Sequence, residues 1–248
     1  MKLSELDRRN TQLREIMDDP ECEPAQLRRT LERFGIVNSA VARWGRVYRT
    51  HIRPALSAAR ATGGAEQRLL DIGCGGGDVL RRLVRRARRD GYRVSGLGID
   101  PDPRAIAVAR AAAPLDGVRY RECFSDELAA SGARFDVVLS NHLLHHLESP
   151  ALEALLADSE RLADRLAVHS DIARGRFAYA AFSIGVAPVS PGTLLRVDGL
   201  RSIRRSYRPA ELSEALPADW LMERVGPFRL LAVHRPKRAM ARRETARV

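Results

Sequence analysis

The sequence predicts an α/β fold: a mainly parallel sheet covered by helices, closed by a C-terminal antiparallel hairpin and preceded by a helical segment. Three observations predict it. Short apolar runs alternate with helical patterns downstream of Gly64, and repeated β-α units build a parallel sheet buried on both faces. The last two apolar runs, Trp220–Val225 and Phe228–His234, flank Gly226-Pro227 and read as a hairpin. The stretch Leu69-Leu70-Asp71-Ile72-Gly73-Cys74-Gly75-Gly76-Gly77-Asp78 is a buried strand feeding a glycine-dense turn into a helix.

The elements follow in order. Pro24 opens a helix in which Leu27, Leu31 and Phe34 repeat at helical spacing. A second helix is expected from Ile36 to Ala59, with Val37, Trp44, Val47 and Tyr48 on its apolar side and a bend at Pro54. Thr62-Gly63-Gly64 is a linker. Strand 1 covers Arg68–Ile72 and its helix runs to about Arg89. Asp90-Gly91 turns into strand 2, Arg93–Ile99, after which Asp102-Pro103 starts a helix, Asp as cap and Pro in the first turn. Strands 3, 4 and 5 are Val118–Cys123, Phe135–Leu139 and Leu166–Ser170, with a helix over Pro150–Leu162 between the last two. Helices near Phe177–Val186 and from Pro209 lead to the hairpin. The chain divides into a helical segment over 1–62, the α/β domain over 63–235 and a basic tail over 236–248.

Composition removes several function classes. Of 248 residues 45% are hydrophobic, ample for a core. No apolar run approaches the roughly 18 residues of a membrane span, and residues 1–20 have no signal-peptide core. Three cysteines make neither a disulfide framework nor a zinc set, which fits a reducing cytoplasm. The net charge of +11 is carried almost wholly by arginines spread over many helices. No basic strand studded with aromatics, of the kind that stacks bases, accompanies them. A nucleic-acid partner is therefore not expected.

The glycine turn carries the chemistry. Its glycines let a ligand approach the backbone closely. A dinucleotide fingerprint needs a glycine where Asp78 stands. A carboxylate there repels a pyrophosphate and suits a ligand carrying positive charge. Asp100 ends the second strand about 20 residues after the glycines, where an acid can take both hydroxyls of a ribose. Asp71, Asp100, Asn141 and Asp171 all lie at strand ends, where open α/β sheets bind ligands.

The loop, the spaced acid and the strand–helix alternation together resemble the class I methyltransferases that use S-adenosylmethionine (SAM), over roughly residues 65–235. The resemblance implies a Rossmann-like sheet of seven strands and SAM as cofactor. It places Asp71, Gly73, Cys74, Gly75, Asp78, Asp100, Pro101 and Asn141 around that cofactor. After strand 3 the family often has an acid followed by a small residue at the adenine. Here Cys123-Phe124-Ser125-Asp126 stands instead, so Ser125, Asp126 or backbone groups are expected to contact adenine and Phe124 to pack on it.

The strand-4 exit, Ser140-Asn141-His142-Leu143-Leu144-His145-His146, resembles the same exit in small-molecule methyltransferases of the ubiquinone/menaquinone-methylase-like group. His142, His145 and His146 share a face if this turn is helical. No acidic partner for them is apparent, so no metal site is expected. A neutral histidine serving as general base is expected instead, with His145 favoured. Asp171 is a further candidate and Arg174 its candidate partner. The stretches Glu15–Pro20 and Ile36–Asn38 resemble bacterial methyltransferases associated with type III polyketide synthases. That resemblance implies secondary metabolism, N-terminal helices acting as a lid, and O-methylation of a phenolic or quinone-like acceptor. An RNA or protein methyltransferase and a SAM-binding protein without turnover are the alternatives.

Overall fold

A computed structural model describes residues 6–63 and 66–236. Seven strands form one sheet in the order β3-β2-β1-β4-β5-β7-β6. They are β1 (Gln67–Ile72), β2 (Val94–Asp100), β3 (Val118–Glu122), β4 (Phe135–Asn141), β5 (Ala163–Ile172), β6 (Trp220–Arg224) and β7 (Arg229–His234). Strands β1 to β5 are parallel and β7 is antiparallel to both β5 and β6. This is the mainly parallel, Rossmann-like sheet with a C-terminal hairpin that the sequence predicts.

The apolar runs are continuous because both faces of the sheet are buried. Leu69, Val137, Leu139, Leu166 and Val168 point into one core. Leu70, Phe135, Val138 and Ala167 point into the other. Helix α4 (Asp78–Arg89) lays Val79, Leu80, Leu83, Val84 and Ala87 on the first core, and its arginines fall outside that stripe. On the same face, α2 (Trp44–Val47) runs through a π-helical turn over Tyr48–Ile52 into α3 (Arg53–Ala61). That turn widens just before Pro54, which has no N–H to offer a carbonyl one turn back.

Helix α1 (Pro24–Val41) begins with Pro24 in its first turn, and the Glu23 carboxylate accepts the N–H groups of Ala25 and Gln26 at 2.9 and 2.7 Å. It runs past the break expected before Ile36. The chain breaks instead at Arg43, in the left-handed region at φ 54°. The helical boundary therefore falls at residues 42–43. It also changes what the N-terminal segment is. Trp44, Tyr48, Ile52 and Leu56 are part of the main core. Leu27 and Leu31 pack with Ala105 of α5 (Pro103–Ala111) and with Leu194 in a separate cluster. Residues 44–61 belong to the body of the domain, and the unit expected over 1–62 is divided by packing.

Helix α6 (Ser125–Ala130), α7 (Ser149–Leu162), α8 (Arg176–Gly185), α9 (Leu195–Arg205) and α10 (Pro209–Ala215) complete the fold. The sequence reading missed α6 and α9. Helix α9 contains Gly199, a poor helix residue, but a Cβ there would meet the Phe182 ring at 2.3 Å. The glycine lets α8 and α9 pack closely. Of the tail expected over 236–248, residues 237–248 lie outside the described structure.

Candidate active site

A cavity of about 250 Å³ opens at the C-terminal ends of β1, β2 and β4, where the strand order reverses between β1 and β4. The glycine loop forms its floor. Gly73, Gly75 and Gly77 have positive φ of 66°, 50° and 73°, which side-chain-bearing residues adopt at a cost. The Asp100 carboxylate clamps the loop: it accepts the Gly75 N–H and the Asp102 N–H, each at 3.0 Å. Asn38 of α1 donates to both oxygens of Asp78 at 3.3 and 3.1 Å, and Asn141 donates to Asn38 Oδ1 at 3.2 Å. Trp44 Nε1 donates to Asn141 Oδ1 at 3.2 Å. A polar chain thus ties the loop to α1, α2 and β4.

This half of the cavity gathers carboxylates, with Arg81 and Arg82 acting on Asp78 from outside its lining. Asp71, Asp78 and Asp100 line it, and no Lys or Arg is among its described lining residues. Burial pushes all three carboxyls up; for Asp71, held well above the ordinary range, the charges of Asp78 and Asp100 add to it. Asp71 is buried and its Oδ1 has no hydrogen-bond partner. The Cys74 thiol is pushed up by burial and by the same carboxylates, so it is a protonated filler and not a nucleophile. Gly73, Cys74, Gly75, Pro101 and Asn141 also line the cavity. Ser125 and Asp126 do not. The Ser125 hydroxyl donates to Asp158 at 2.6 Å, and Asp126 Oδ1 accepts the Glu127 N–H at the start of α6. Phe124 is exposed. At this strand exit the Ser125 hydroxyl is thus engaged with α7 and Asp126 with the first turn of α6.

The other half is built differently. The turn over Leu144–His146 is a short 3₁₀ segment. His145 is buried, with Nδ1 at 2.7 Å from Asp171 Oδ1 and Nε2 at 3.2 Å from Glu15 Oε1. His146 places Nδ1 at 3.2 Å from Asp18 and Nε2 at 3.7 Å from Glu15. The acidic partners that the sequence did not reveal are thus Glu15, Asp18 and Asp171. Burial alone would lower the His145 imidazole, but the carboxylates of Asp171 and Glu15 outweigh it and hold it at about 9. The expectation of a neutral His145 does not hold for this arrangement. Burial likewise would raise Asp171 and Glu15. The His145 contact keeps Asp171 well below the usual carboxylate range, and His145 with His146 keeps Glu15 at about 2.

His142 sits at φ 60° and faces Arg229 of β7, whose Nη1 lies 3.0 Å from Nε2 and 3.5 Å from Nδ1. Burial and the Arg229 charge hold it well below the ordinary histidine range. Arg229 also donates to Ser170 Oγ at 2.8 Å and to Asn141 Oδ1. Arg174 does not pair with Asp171. It binds Glu211 and the carbonyls of Ser206 and Leu6.

Glu15 reaches the site on a segment with almost no regular structure of its own, only a 3₁₀ turn over Ile16–Asp18. Side chains hold it instead. Asp198 of α9 accepts the N–H groups of Ile16 and Met17 at 2.8 and 3.0 Å, and Ser202 Oγ donates to Glu15 Oε1 at 2.6 Å. Arg104 of α5 donates to the carbonyls of Met17 and Asp19 at 3.2 and 2.9 Å. Sequence reasoning missed Glu15, Asp198, Ser202 and Arg229 as site residues. The signal for Glu15 was the Glu15–Pro20 stretch, which the sequence placed in a lid and not among the site residues.

Comparison with known proteins agrees with this layout. Residues 69–164 match the family model described as a methyltransferase domain. Ubiquinone biosynthesis O-methyltransferase of Azorhizobium caulinodans is 41% identical over 87 residues, 34% of this chain and 32% of that protein. The enzyme of the same name from Rhizobium etli is 32% identical over 165 residues, 65% of this chain and 63% of that protein. The chain thus spans about a third of the length of the curated relatives it matches first. Among solved structures, the plantazolicin methyltransferase BpumL, in complex with a pentazolic desmethylPZN analog and SAH, superposes with a TM-score of 0.52 at 14% identity. The match covers 85% of this chain and 96% of that one and speaks to the fold. The resemblance to class I, small-molecule SAM methyltransferases rests on both sequence and fold.

Proposed function

We propose that the protein is a SAM-dependent methyltransferase that methylates an oxygen of a small phenolic or quinone-like acceptor. The observation that carries the reading is the trio of crowded carboxylates Asp71, Asp78 and Asp100 in a cavity lined by no cationic side chain other than histidine. Crowded carboxylates whose pKa values burial raises favour a ligand bearing positive charge. SAM carries a sulfonium and an ammonium, and when bound it supplies a methyl group whose leaving group is a neutral thioether. The orphaned Oδ1 of Asp71 and Asp78 suit the cationic end, Asp100 suits the ribose, and Asn141 with Phe34 borders the acceptor. The relatives named as ubiquinone biosynthesis O-methyltransferases support oxygen as the methylated atom.

The protein's own work is alignment, exclusion of water and management of one proton. A cavity of about 250 Å³ is smaller than the roughly 300–1,000 Å³ of ordinary ligand pockets. Acceptor and cofactor together would fill it, so the segment before α1 and α1 itself, residues up to about 41, act as the lid. His145, His146 and Asp171 lie at the acceptor end, with His142 behind Asn141. Glu15, His145 and His146, and likewise His142, His145 and Asp171, bring ligand atoms close enough together to hold a metal ion; turnover that survives a chelator would uphold a reaction without one. No helix of the described residues is long and apolar enough to cross a membrane, and a cytoplasmic enzyme of secondary metabolism fits. Incubation with SAM and a panel of phenols and hydroquinones, read by mass spectrometry, should show an acceptor gaining one methyl on oxygen. Methylation of RNA or protein and of no small molecule would contradict the reading.

A further inference from the structure

The segment before α1 is gripped by its backbone, and the grip is unequal along its length. Over residues 6–17 the anchors are buried. Arg174 donates to the Leu6 carbonyl at 3.0 Å, Arg205 donates to the Leu13 carbonyl, and Asp198 accepts the N–H groups of Ile16 and Met17. The next residues, Asp18 to Glu21, are exposed. Arg104 of α5 holds this stretch: its Nη1 donates to the carbonyls of Asp19 and Pro20 at 2.9 and 3.3 Å, and its Nη2 to that of Met17 at 3.2 Å. The Arg104 side chain is itself 28% exposed. A second hold runs from the Asp18 carboxylate to His146 Nδ1 at 3.2 Å.

On its other side Arg104 is tied to the acid that ends β2. Nε donates to both oxygens of Asp102 at 3.0 Å, and Nη2 donates to Asp102 Oδ2 at 2.8 Å. The Asp102 N–H in turn donates to Asp100 at 3.0 Å. Met17 and Asp18 line the cavity together with Asp100, Pro101 and Asp102, and Asp18 is near enough for its charge to act on Asp100. Arg104 is not among the lining residues. We propose that residues 17–21 are the door by which the cofactor enters and leaves, and that Arg104 is the positioning residue that latches it. The inference rests on the methyltransferase reading above, in which Asp100 takes the ribose.

The place of opening follows from the unequal grip. Lifting residues 6–16 would leave Arg174, Arg205 and Asp198 buried with lost partners, and an unsatisfied buried charge is expensive. Lifting residues 17–21 frees a guanidinium that water already reaches, so the lost hydrogen bonds are largely replaced. Local opening takes the lower of the two costs. The rigid fork of an arginine bonds a carboxylate and several carbonyls at once, which a lysine ammonium cannot do. Because Arg104 touches the door and not the cavity, its loss should change how fast the cofactor passes and not how tightly it is held. A gate that only opens and closes changes entry and exit together.

The test uses the full chain with Arg104→Ala, Arg104→Lys and a control at the far end of the segment, Arg208→Ala, which removes a contact to the Leu6 carbonyl at 2.9 Å. S-adenosylhomocysteine is the probe. Stopped flow gives its association and dissociation rates, calorimetry its affinity, and hydrogen exchange follows the backbone of residues 17–22. Arg104→Ala should raise both rates by about tenfold, the worth of hydrogen bonds from one charged donor. Affinity should stay within a few fold, and exchange over residues 17–22 should quicken. Arg104→Lys should move the rates in the same direction, and Arg208→Ala should leave them at the parent's values. Faster dissociation without faster association overturns the latch, because Arg104 would then shape the bound site. An equal rise in Arg208→Ala or parent-like rates in Arg104→Lys also overturns it. Should Arg104→Ala not fold, Arg104→Lys decides on the same readouts. If the probe binds neither parent nor variants, the methyltransferase reading fails. Quicker exchange confined to the Arg104 variants would then still uphold the latch, and unchanged exchange would overturn it.

Discussion

The two ends of the cavity handle charge in opposite ways. At the glycine loop, Asp71, Asp78 and Asp100 stand together, with burial pushing each upward. At the strand-4 exit, Glu15 and Asp171 are held low because His145 stands between them. The first end is lined, among the described residues, by no Lys or Arg, and the second contains its own cation. The difference teaches how one cleft can recruit a charged cofactor and yet present a self-contained proton site to a neutral acceptor. It also separates what each substitution should do: changes at the loop act on ligand binding, and changes at the histidine act on folding and pH dependence.

The largest effect is expected at the self-paired end. Asp171→Asn keeps the shape but removes the charge that faces His145 Nδ1 at 2.7 Å. Breaking a buried ion pair on one side costs about 3–5 kcal/mol. Chemical denaturation should show a loss of that size, and a loss under about 1 kcal/mol would mean the pair behaves as a surface bridge. Asp100→Ala should fold almost normally but bind SAM more weakly by about 2–4 kcal/mol, since it removes charge-assisted hydrogen bonds. Calorimetry reads this directly, and unchanged affinity would remove Asp100 from the cofactor site.

The smallest of the three effects is a slope. The His145 imidazole is raised from 6.5 to about 9. A raised group contributes stability that is complete below its unfolded value and lost as pH rises through its folded value. Stability should therefore fall between about pH 6.5 and 9, by about 1.4 kcal/mol per pH unit, or roughly 3–6 °C in Tm per pH unit. His145→Gln should flatten that decline. A parent protein whose Tm is level across this window would show that His145 is not held as an imidazolium.

The same contrast explains what the sequence disclosed. The loop end is written in contiguous residues, Asp71 to Asp78, with Asp100 one strand later. Local geometry of a strand, a turn and a helix is enough to place them, and the sheet follows from alternating apolar runs. The histidine end assembles residues 15, 145, 171, 202 and 229 from five separate elements. No local pattern joins them, so the three histidines were visible but their partners were not. His145 consequently read as neutral. Helix α9, which carries Asp198 and Ser202, was hidden because Gly199 and four arginines among eleven residues dilute its apolar stripe. The helix boundary was placed before Ile36, when the chain turns at Arg43 in a conformation that arginine rarely adopts.

The central claim is that the glycine-loop end is an anionic cavity made for a cation. Titration calorimetry of SAM, in paired buffers of different ionisation heat between pH 5 and 7, tests it most directly. Placing a cation beside Asp71, Asp78 and Asp100 lowers their raised pKa values, so binding should release protons and tighten as pH rises. No measurable SAM binding, or binding that takes up protons and weakens with rising pH, would contradict the account.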